Sequence, residues 1–256
     1  MSETMEVSFR KLRIVKFKGR SFEYVEDEVA VEHPITIHIN GKLLDVLYAT
    51  PQELIELTVG YLMTKGLIKN LGEIIEIRTR NSSIYITVLE SVEQRVKKHS
   101  IEHTKTLKTA FDQTHNWKVE SEVKWPHTKI LETVEKLNTK ATIFRRTGGT
   151  HAAMITSIEG IEILCEDVGR HNAVDKVIGA YALRGFKDFS RVLLTFSGRV
   201  SSEIVLKAAE VKIPIIASIS APTSLGITLA EQSGITLIGF VRESGFNVYT
   251  HPERVT

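Results

Sequence analysis

The chain has 256 residues, a formal net charge of +2, one cysteine and nine histidines. That length suits one large domain or two small ones and allows a sizeable buried core. The charge is too small to argue for a nucleic-acid partner, the lone Cys165 excludes an internal disulfide and a Cys-rich metal site, and no apolar run approaches a membrane span. Residues 1–20 mix charges throughout, unlike a signal peptide, so the expectations are a cytoplasmic location, no nucleic acid and no membrane.

Residues 1–10 read as a frayed polar start. Over 13–31 apolar residues mostly alternate (Ile14, Phe17, Phe22, Val29, Val31), which predicts strands. Residues 34–39 alternate again, Asn40-Gly41 signals a hairpin turn, and 43–49 completes the hairpin. Thr50-Pro51 predicts a helix start, with threonine as cap and proline at the first helical position. Its apolar stripe is Leu54, Leu57, Tyr61 and Leu62, and Gly66 stops it. Strands are expected near 73–79 and 83–89 and a helix over 91–98; 103–125 shows no clear period, and the boundary between halves falls in 103–127.

The second half is more regular. A helix is predicted from 127 to 137, a hairpin over 152–165 turning at Glu159-Gly160, and an amphipathic helix over 171–184. The continuous apolar run 192–196 predicts a central strand covered on both faces. A helix over 201–211, a strand over 213–219, a helix led by Pro222 and running to 232, and strands over 235–241 and 246–249 follow.

Five loops of this half carry the functional signal: 145–151 (RRTGGTH), 165–176 (CEDVGRHNAVDK), 196–203 (FSGRVSSE), 218–224 (SISAPTS) and 239–245 (GFVRESG). Three of them lie between a predicted strand and a predicted helix, and in open α/β sheets the carboxyl ends of strands form the ligand crevice. The loops offer small residues, hydroxyls and arginines, among them Gly149, Arg170, Ser197, Arg199, Ser201 and Arg242. Free N–H groups at helix starts attract anions, and arginine grips phosphate with two prongs. The pattern points to a ligand that bears phosphate or a nucleotide.

His171 and Asp175 fall four apart on one helix face. Either His171 faces the crevice as a neutral hydrogen-bonding group, or it pins a loop while Asp175 stays exposed. The 197–203 loop reads as a phosphate cradle or as a capped helix with Arg199 in a salt bridge. Cys165, followed by Glu166 and Asp167 at a strand end, reads as an inert core-edge cysteine. The 171–201 region suggests cytidine-deaminase architecture, but that site's cysteines and glutamate are absent, so no zinc is expected. A hydrolase using His171 and Asp175 on a nucleotide is a further reading.

Taken together, TGGTHAAMI, EDVGRHNAVDKVIGAYAL, SGRVSSEIVLKA, SAPTSLGITLAE and GFVRESGFNVYTHPERV closely resemble the formate dehydrogenase accessory protein family, FdhD. In the first half, DEVAVEHPITIHING and TPQELIELTVGYLMTKGLI match as well. The resemblance implies an α/β fold with a cytidine-deaminase-like three-layer core at 126–256 and a smaller N-terminal α+β domain at 1–125. It implies a sulfur carrier that takes sulfur from a cysteine desulfurase as a persulfide. The sulfur then passes to the molybdenum bis(molybdopterin guanine dinucleotide) cofactor, which is inserted into formate dehydrogenase. Formate dehydrogenase and the desulfurase are the implied partners, and a homodimer is a further expectation. The family's guanine-dinucleotide segment matches Phe240, Val241, Arg242, Glu243, Ser244 and Gly245. With Ser197, Arg199, Thr147, Gly148 and His171 these form the candidate cofactor-binding set; no catalytic residue or metal ligand is assigned. The family's Cys-Gly-x-Cys-Gly loop, whose first cysteine carries sulfur, has no counterpart, because 106–121 holds no cysteine. Lys65 also stands where family members often carry an acidic residue. The alternative is a non-catalytic cofactor-binding chaperone or regulator.

Overall fold

The computed structural model describes residues 7–102 and 117–256. Strands β1 (Phe9–Lys18) and β2 (Ser21–Ala30) form a long hairpin that, among the described residues, pairs with no other strand. β3 (His33–Ile39) and β4 (Lys42–Ala49) form a second hairpin, and Asn40 and Gly41 both take the positive φ that this turn demands. After α1 (Leu54–Thr64) come β5 (Ile74–Arg80), β6 (Ser83–Val88) and α2 (Glu90–Glu102). The resulting four-stranded sheet runs β4-β3-β6-β5, and its inward residues Ile35, Ile37, Ile84 and Ile86 are all buried.

The second half contains α3 (His127–Lys140), α4 (Thr142–Thr147), β7 (His151–Ser157), β8 (Glu162–Asp167), α5 (Arg170–Leu183), β9 (Val192–Phe196), α6 (Ser202–Glu210), β10 (Ile215–Ser218), α7 (Ser224–Ser233), β11 (Thr236–Arg242) and β12 (Gly245–Thr250). Its six-stranded sheet runs β12-β11-β10-β9-β7-β8, with β9, β10 and β11 parallel and the other pairs antiparallel. The α/β class holds. β9 is central and buried along its whole length, as its unbroken apolar run predicts. Alternate residues face two different layers. Leu194, Phe196, Ile216 and Leu237 join the core shared by α1, α5, α6 and α7, while Leu193, Ile215, Ala217 and Ile238 pack with Ile130 and Val134 of α3. Each fully buried leucine, isoleucine, valine or phenylalanine among them contributes about 1.5–3 kcal/mol.

α1 lies against α5 at backbone contact. A Cβ on Gly60 would sit 1.8 Å from the Asp175 carbonyl oxygen, and one on Gly179 would sit 2.0 Å from that of Glu56. Only glycine at both positions permits this approach. The extended segment after residue 117 returns to the second half, with Val119 N donating to Ser233 O (2.8 Å) and Trp125 pairing with Val255. No helix among the described residues is long and apolar enough to cross a membrane.

Four local expectations need correction. α1 begins at Leu54, three residues beyond Pro51, because Thr50 is held elsewhere and caps nothing. Pro222 lies outside α7, which starts at Ser224 with Thr223 as its cap. The 145–151 loop opens as the end of α4, a short helix that its sequence did not reveal. Strand β1 reaches back to Phe9, into the stretch expected to be frayed. Most of the cysteine-free 106–121 stretch lies outside the described residues.

Candidate functional site

Because β9, β10 and β11 are parallel, β7 runs against β9 and β8 runs against β7, one edge of the sheet collects five chain segments. These are 147–151, 167–171, 197–201, 218–224 and 240–245, so all five sequence loops meet there, the 218–224 loop whole and the other four through part of their length. Hydrogen bonds stitch them in order. Ser218 Oγ donates to Gly198 O (2.6 Å), Ser220 Oγ to Ser197 O (2.8 Å), and Phe240 N to Ser220 O (3.3 Å). Ser197 Oγ lies 3.1 Å from both Ala152 N and His151 Nδ1, which fixes the β7 start against the β9 end. Gly198 leaves little room for a larger residue here, since its Cβ would lie 3.0 Å from Cβ of Arg170.

The charged residues of CEDVGRHNAVDK divide by task. Glu166 is buried and accepts from the backbone of Ile143 (3.0 Å) and Phe144 (2.7 Å), so it caps α4 and sets the 147–150 turn. Asp167, fully buried, accepts from Thr50 N (3.0 Å), Gly169 N (2.8 Å), Asn172 Nδ2 (2.9 Å) and the Lys176 ammonium (2.8 Å). Lys176, also fully buried, donates in addition to the carbonyls of Thr50 and Glu166, both at 3.1 Å. Asp175 is buried against Lys207, which donates to both of its carboxylate oxygens at 2.7 Å; Thr64 Oγ1 adds a third bond at 2.7 Å. The exposed Asp175 considered from the sequence is therefore corrected, and a His171–Asp175 hydrolytic pair is unavailable because Asp175 is committed to this clamp.

Among the described residues, what remains uncommitted at the edge is Arg170 Nε and the first turns of two helices, with His171 beside them. Neither α5 nor α6 receives a side-chain cap, and His171 and Glu203 of those turns approach to 3.2 Å. α7, by contrast, is closed by Thr223 Oγ1, which accepts from Gly226 N at 3.1 Å. Arg170 Nε and Ser201 Oγ are buried and have no hydrogen-bond partner among the described residues. Unpaired buried donors are costly, of order 1–3 kcal/mol each, and are expected to meet a ligand or water. Burial, reinforced by the Arg170 charge, holds His151 below the usual histidine range; burial holds His171 low against the opposing pull of Glu203. Both imidazoles are thus neutral near pH 7 and able to donate or accept. The arrangement suits an anionic, phosphate-like group.

The candidate set is spread around this edge. Thr147 Oγ1 accepts from Gly149 N (3.1 Å), and Gly148 closes α4 at φ +64°. Arg199 is exposed, with no ion pair among the described residues. Phe240 adopts φ +54° and is partly exposed, while the Val241 side chain is buried in the core beside α3, leaving only its backbone available. Glu243 and Ser244 form the exposed turn before Gly245. Arg242 Nη1 bonds the carbonyls of Ile219 (2.6 Å) and Val241 (2.7 Å), so that nitrogen ties the strand ends together. Sequence reading passed over His151 and left Arg170 and Ser201 out of the final set. For Arg170 and Ser201 the available signal was a position at a helix start that lacks a capping side chain; for His151 it was a position at the head of a strand that ends a glycine-rich loop.

Cys165 is buried on β8, and burial, with Glu53 facing the thiol, pushes its pKa well above the usual cysteine range. Its inertness follows from the core and Glu53; the adjacent Glu166 and Asp167 are turned to other partners.

Three comparisons bear on these findings. The model of the FdhD/NarQ family matches residues 30–256. A protein of Sulfolobus acidocaldarius named sulfur carrier protein FdhD is 38% identical, with 97% of this chain and 99% of that protein aligned. The protein of that name from Bacillus subtilis is 35% identical over 94% of this chain and 95% of its own length. Among solved structures, one described as a formate dehydrogenase accessory protein from Desulfotalea psychrophila superposes with a TM-score of 0.81 at 27% identity, covering 98% of this chain and all of that one.

Proposed function

This chain belongs to the FdhD/NarQ family, and from that premise we propose that it is an accessory protein in the maturation of formate dehydrogenase that binds the enzyme's molybdenum bis(molybdopterin guanine dinucleotide) cofactor at the strand-end edge. The observation that carries the binding reading is the pair of buried, unpartnered groups, Arg170 Nε and Ser201 Oγ, beside two uncapped helix starts. A diphosphate linkage is the part of the cofactor that such a site fits. Arg170 and Ser201 would hold phosphate oxygens, with the free N–H groups at the starts of α5 and α6 and with Arg199 at the open side. The 240–245 turn and the 147–148 turn would border the guanine nucleoside. His171 would hydrogen-bond the ligand, with Glu203 orienting its ring. The cofactor supplies the molybdenum centre on which the dehydrogenase depends; this chain's part is to bind and orient it.

The sulfur step is where this chain parts from its named relatives. A persulfide carrier must be an accessible thiolate near positive charge. The sequence has one cysteine, and it is buried with its thiol pKa raised. That observation favours a cofactor-binding chaperone within the maturation role, with formate dehydrogenase as partner and without a direct cysteine desulfurase exchange through Cys165. We read the fold in finer terms as a cytidine-deaminase-like core at 126–256 with an α+β unit at 1–125, the division following the two larger sheets, and place the protein in the cytoplasm.

Complementation tests this reading. In a strain lacking its own family member, the wild type should restore formate dehydrogenase activity, Cys165→Ser should restore it equally, and Arg170→Ala should fail while remaining folded. A wild type that restores nothing contradicts the maturation role. Loss of activity in Cys165→Ser alone contradicts the chaperone form of it.

A further inference from the structure

The strand-end edge gathers arginines and uncapped helix starts, yet a carboxylate stands among them. α5 and α6 face each other through two rungs one helical turn apart. In the inner rung Asp175 of α5 clamps Lys207 of α6, both buried, at 2.7 Å to each carboxylate oxygen. In the outer rung the polarity reverses: His171 Nε2 of α5 meets Glu203 Oε2 of α6 at 3.2 Å. Residues four apart share a helix face, so the clamp fixes where the outer pair sits. The inner charges cancel, and the outer ones do not. Burial, joined by Arg170 and Lys207, keeps His171 below the usual histidine range against the pull of Glu203 and Asp175. Glu203 therefore has a neutral partner near pH 7. It makes no ion pair with lysine or arginine among the described residues and is 68% exposed. The charge of Lys65, at the end of α1, also reaches it.

This acid sits where a diphosphate is expected. Glu203 lies in the first turn of α6, two residues after Ser201, and its partner His171 directly follows Arg170. Ser201 Oγ and Arg170 Nε are the buried groups that lack a partner at this edge. A ligand bonded to the other imidazole nitrogen, Nδ1, would put two negative charges on either side of one ring, roughly 8 Å apart by ordinary hydrogen-bond lengths. Resting on the cofactor-binding reading above, we propose that Glu203 is the residue that keeps the ligand releasable: its carboxylate repels the bound diphosphate, and His171 between them takes a proton from solvent as the ligand arrives and returns it as the ligand leaves. While the ligand is bound, the imidazolium bridges the two anions. A protein that hands its ligand on needs this reversibility. A cradle of arginine and helix starts with no opposing charge would hold a diphosphate more tightly.

Two unit charges at that distance repel by an amount equal to roughly twofold in affinity in bulk water and roughly thirtyfold at an effective dielectric near 20. Glu203 is largely exposed, so an effect of about fivefold is expected. Calorimetry with guanosine diphosphate on the full chain reads the affinity, and stopped flow with its N-methylanthraniloyl derivative reads the rates. Glu203→Gln should bind at least about fivefold more tightly at about pH 7.5, mostly through slower dissociation, and its affinity should vary less down to about pH 5.5. Titrations in buffers of different ionisation enthalpy should show proton uptake by the wild type and less by Glu203→Gln. Glu203→Asp, which keeps the charge, should bind as the wild type does. Glu76→Gln, which removes a charge from β5 in the other sheet, should change nothing. An acid in a first turn ordinarily complements the helix dipole. Were that its whole role, Glu203→Gln would loosen α6 and weaken binding, which is the opposite sign. Unchanged or weaker binding by Glu203→Gln, or an equal gain from Glu76→Gln, overturns the proposal. If Arg170→Ala loses binding while Glu203→Gln stays at wild-type affinity, the release role alone is refuted. A wild type that binds no guanosine diphosphate refutes the cofactor site as well.

Discussion

Replacing Lys176 by methionine should be among the most damaging single changes outside the apolar core. The lysine side chain and that of Asp167 are both fully buried, and their 2.8 Å pair is joined to the carbonyls of Thr50 and Glu166. Methionine matches the length of the lysine stem but leaves a carboxylate in the interior with one donor fewer and takes a donor from each of two carbonyls. Removing one partner of a buried ion pair costs about 3–5 kcal/mol. For a chain of 256 residues, each kcal/mol corresponds to about 2–4 °C in Tm, so a fall of about 10 °C is expected. Thermal and urea unfolding would measure it. Lys176→Met combined with Asp167→Asn should lose less than the two single losses added together, because the stranded charge is gone. A Tm within about 2 °C of wild type for the single variant would refute the reasoning that this pair ties β4 and the α1 approach to the strand-end edge.

Gly179→Ala should destabilise by about 3 kcal/mol or more, because its Cβ would meet the Glu56 carbonyl at 2.0 Å and neither helix backbone can yield freely; urea titration checks this, and a neutral effect would mean that α1 is not seated as described. His151 and His171 are held below the usual histidine range, so protons favour the unfolded chain. Their contribution to stability is complete above about pH 6.5 and is lost as pH falls below it, while an anionic ligand favours the protonated forms. Guanosine diphosphate should therefore bind more tightly as pH falls from about 7.5 to about 5.5, and His151→Gln/His171→Gln should flatten that dependence; calorimetry at several pH values reads both. Incubation with a cysteine desulfurase and cysteine should leave the protein without a stable persulfide, since the Cys165 thiol is buried and its pKa is raised. Mass spectrometry finding one added sulfur on Cys165 would restore a direct carrier role.

The elements that the sequence announced most clearly are those where local and tertiary demands agree. Asn40-Gly41 made its turn, and the unbroken apolar run of β9 became the central strand. The misreadings share one cause. Thr50 looked like a helix cap, but its amide and hydroxyl are taken by Asp167 and Val168, residues more than a hundred positions away. Pro222 looked like a first helical residue but pairs beside Val200. α4 is short, and the side chain that caps it, Glu166, follows it in the chain, so no window of local sequence reveals it. At the site, the loops were legible as a group because strand ends carry small and hydroxylated residues. Which charges were free was not legible, since Asp167, Asp175, Lys176 and Lys207 read like surface residues until their partners from distant segments are seen.

The central claim is that the strand-end edge binds the guanine dinucleotide part of the cofactor through Arg170 and Ser201. Isothermal titration of the purified full chain with guanosine diphosphate tests it most directly. A charge-assisted hydrogen bond contributes about 1.5–3 kcal/mol and each 1.4 kcal/mol is a factor of ten, so Arg170→Ala should weaken binding by at least about tenfold. Ser201→Ala should weaken it by a smaller factor. Wild-type protein that binds no guanosine diphosphate, or binds it equally well after both site substitutions, would contradict the account.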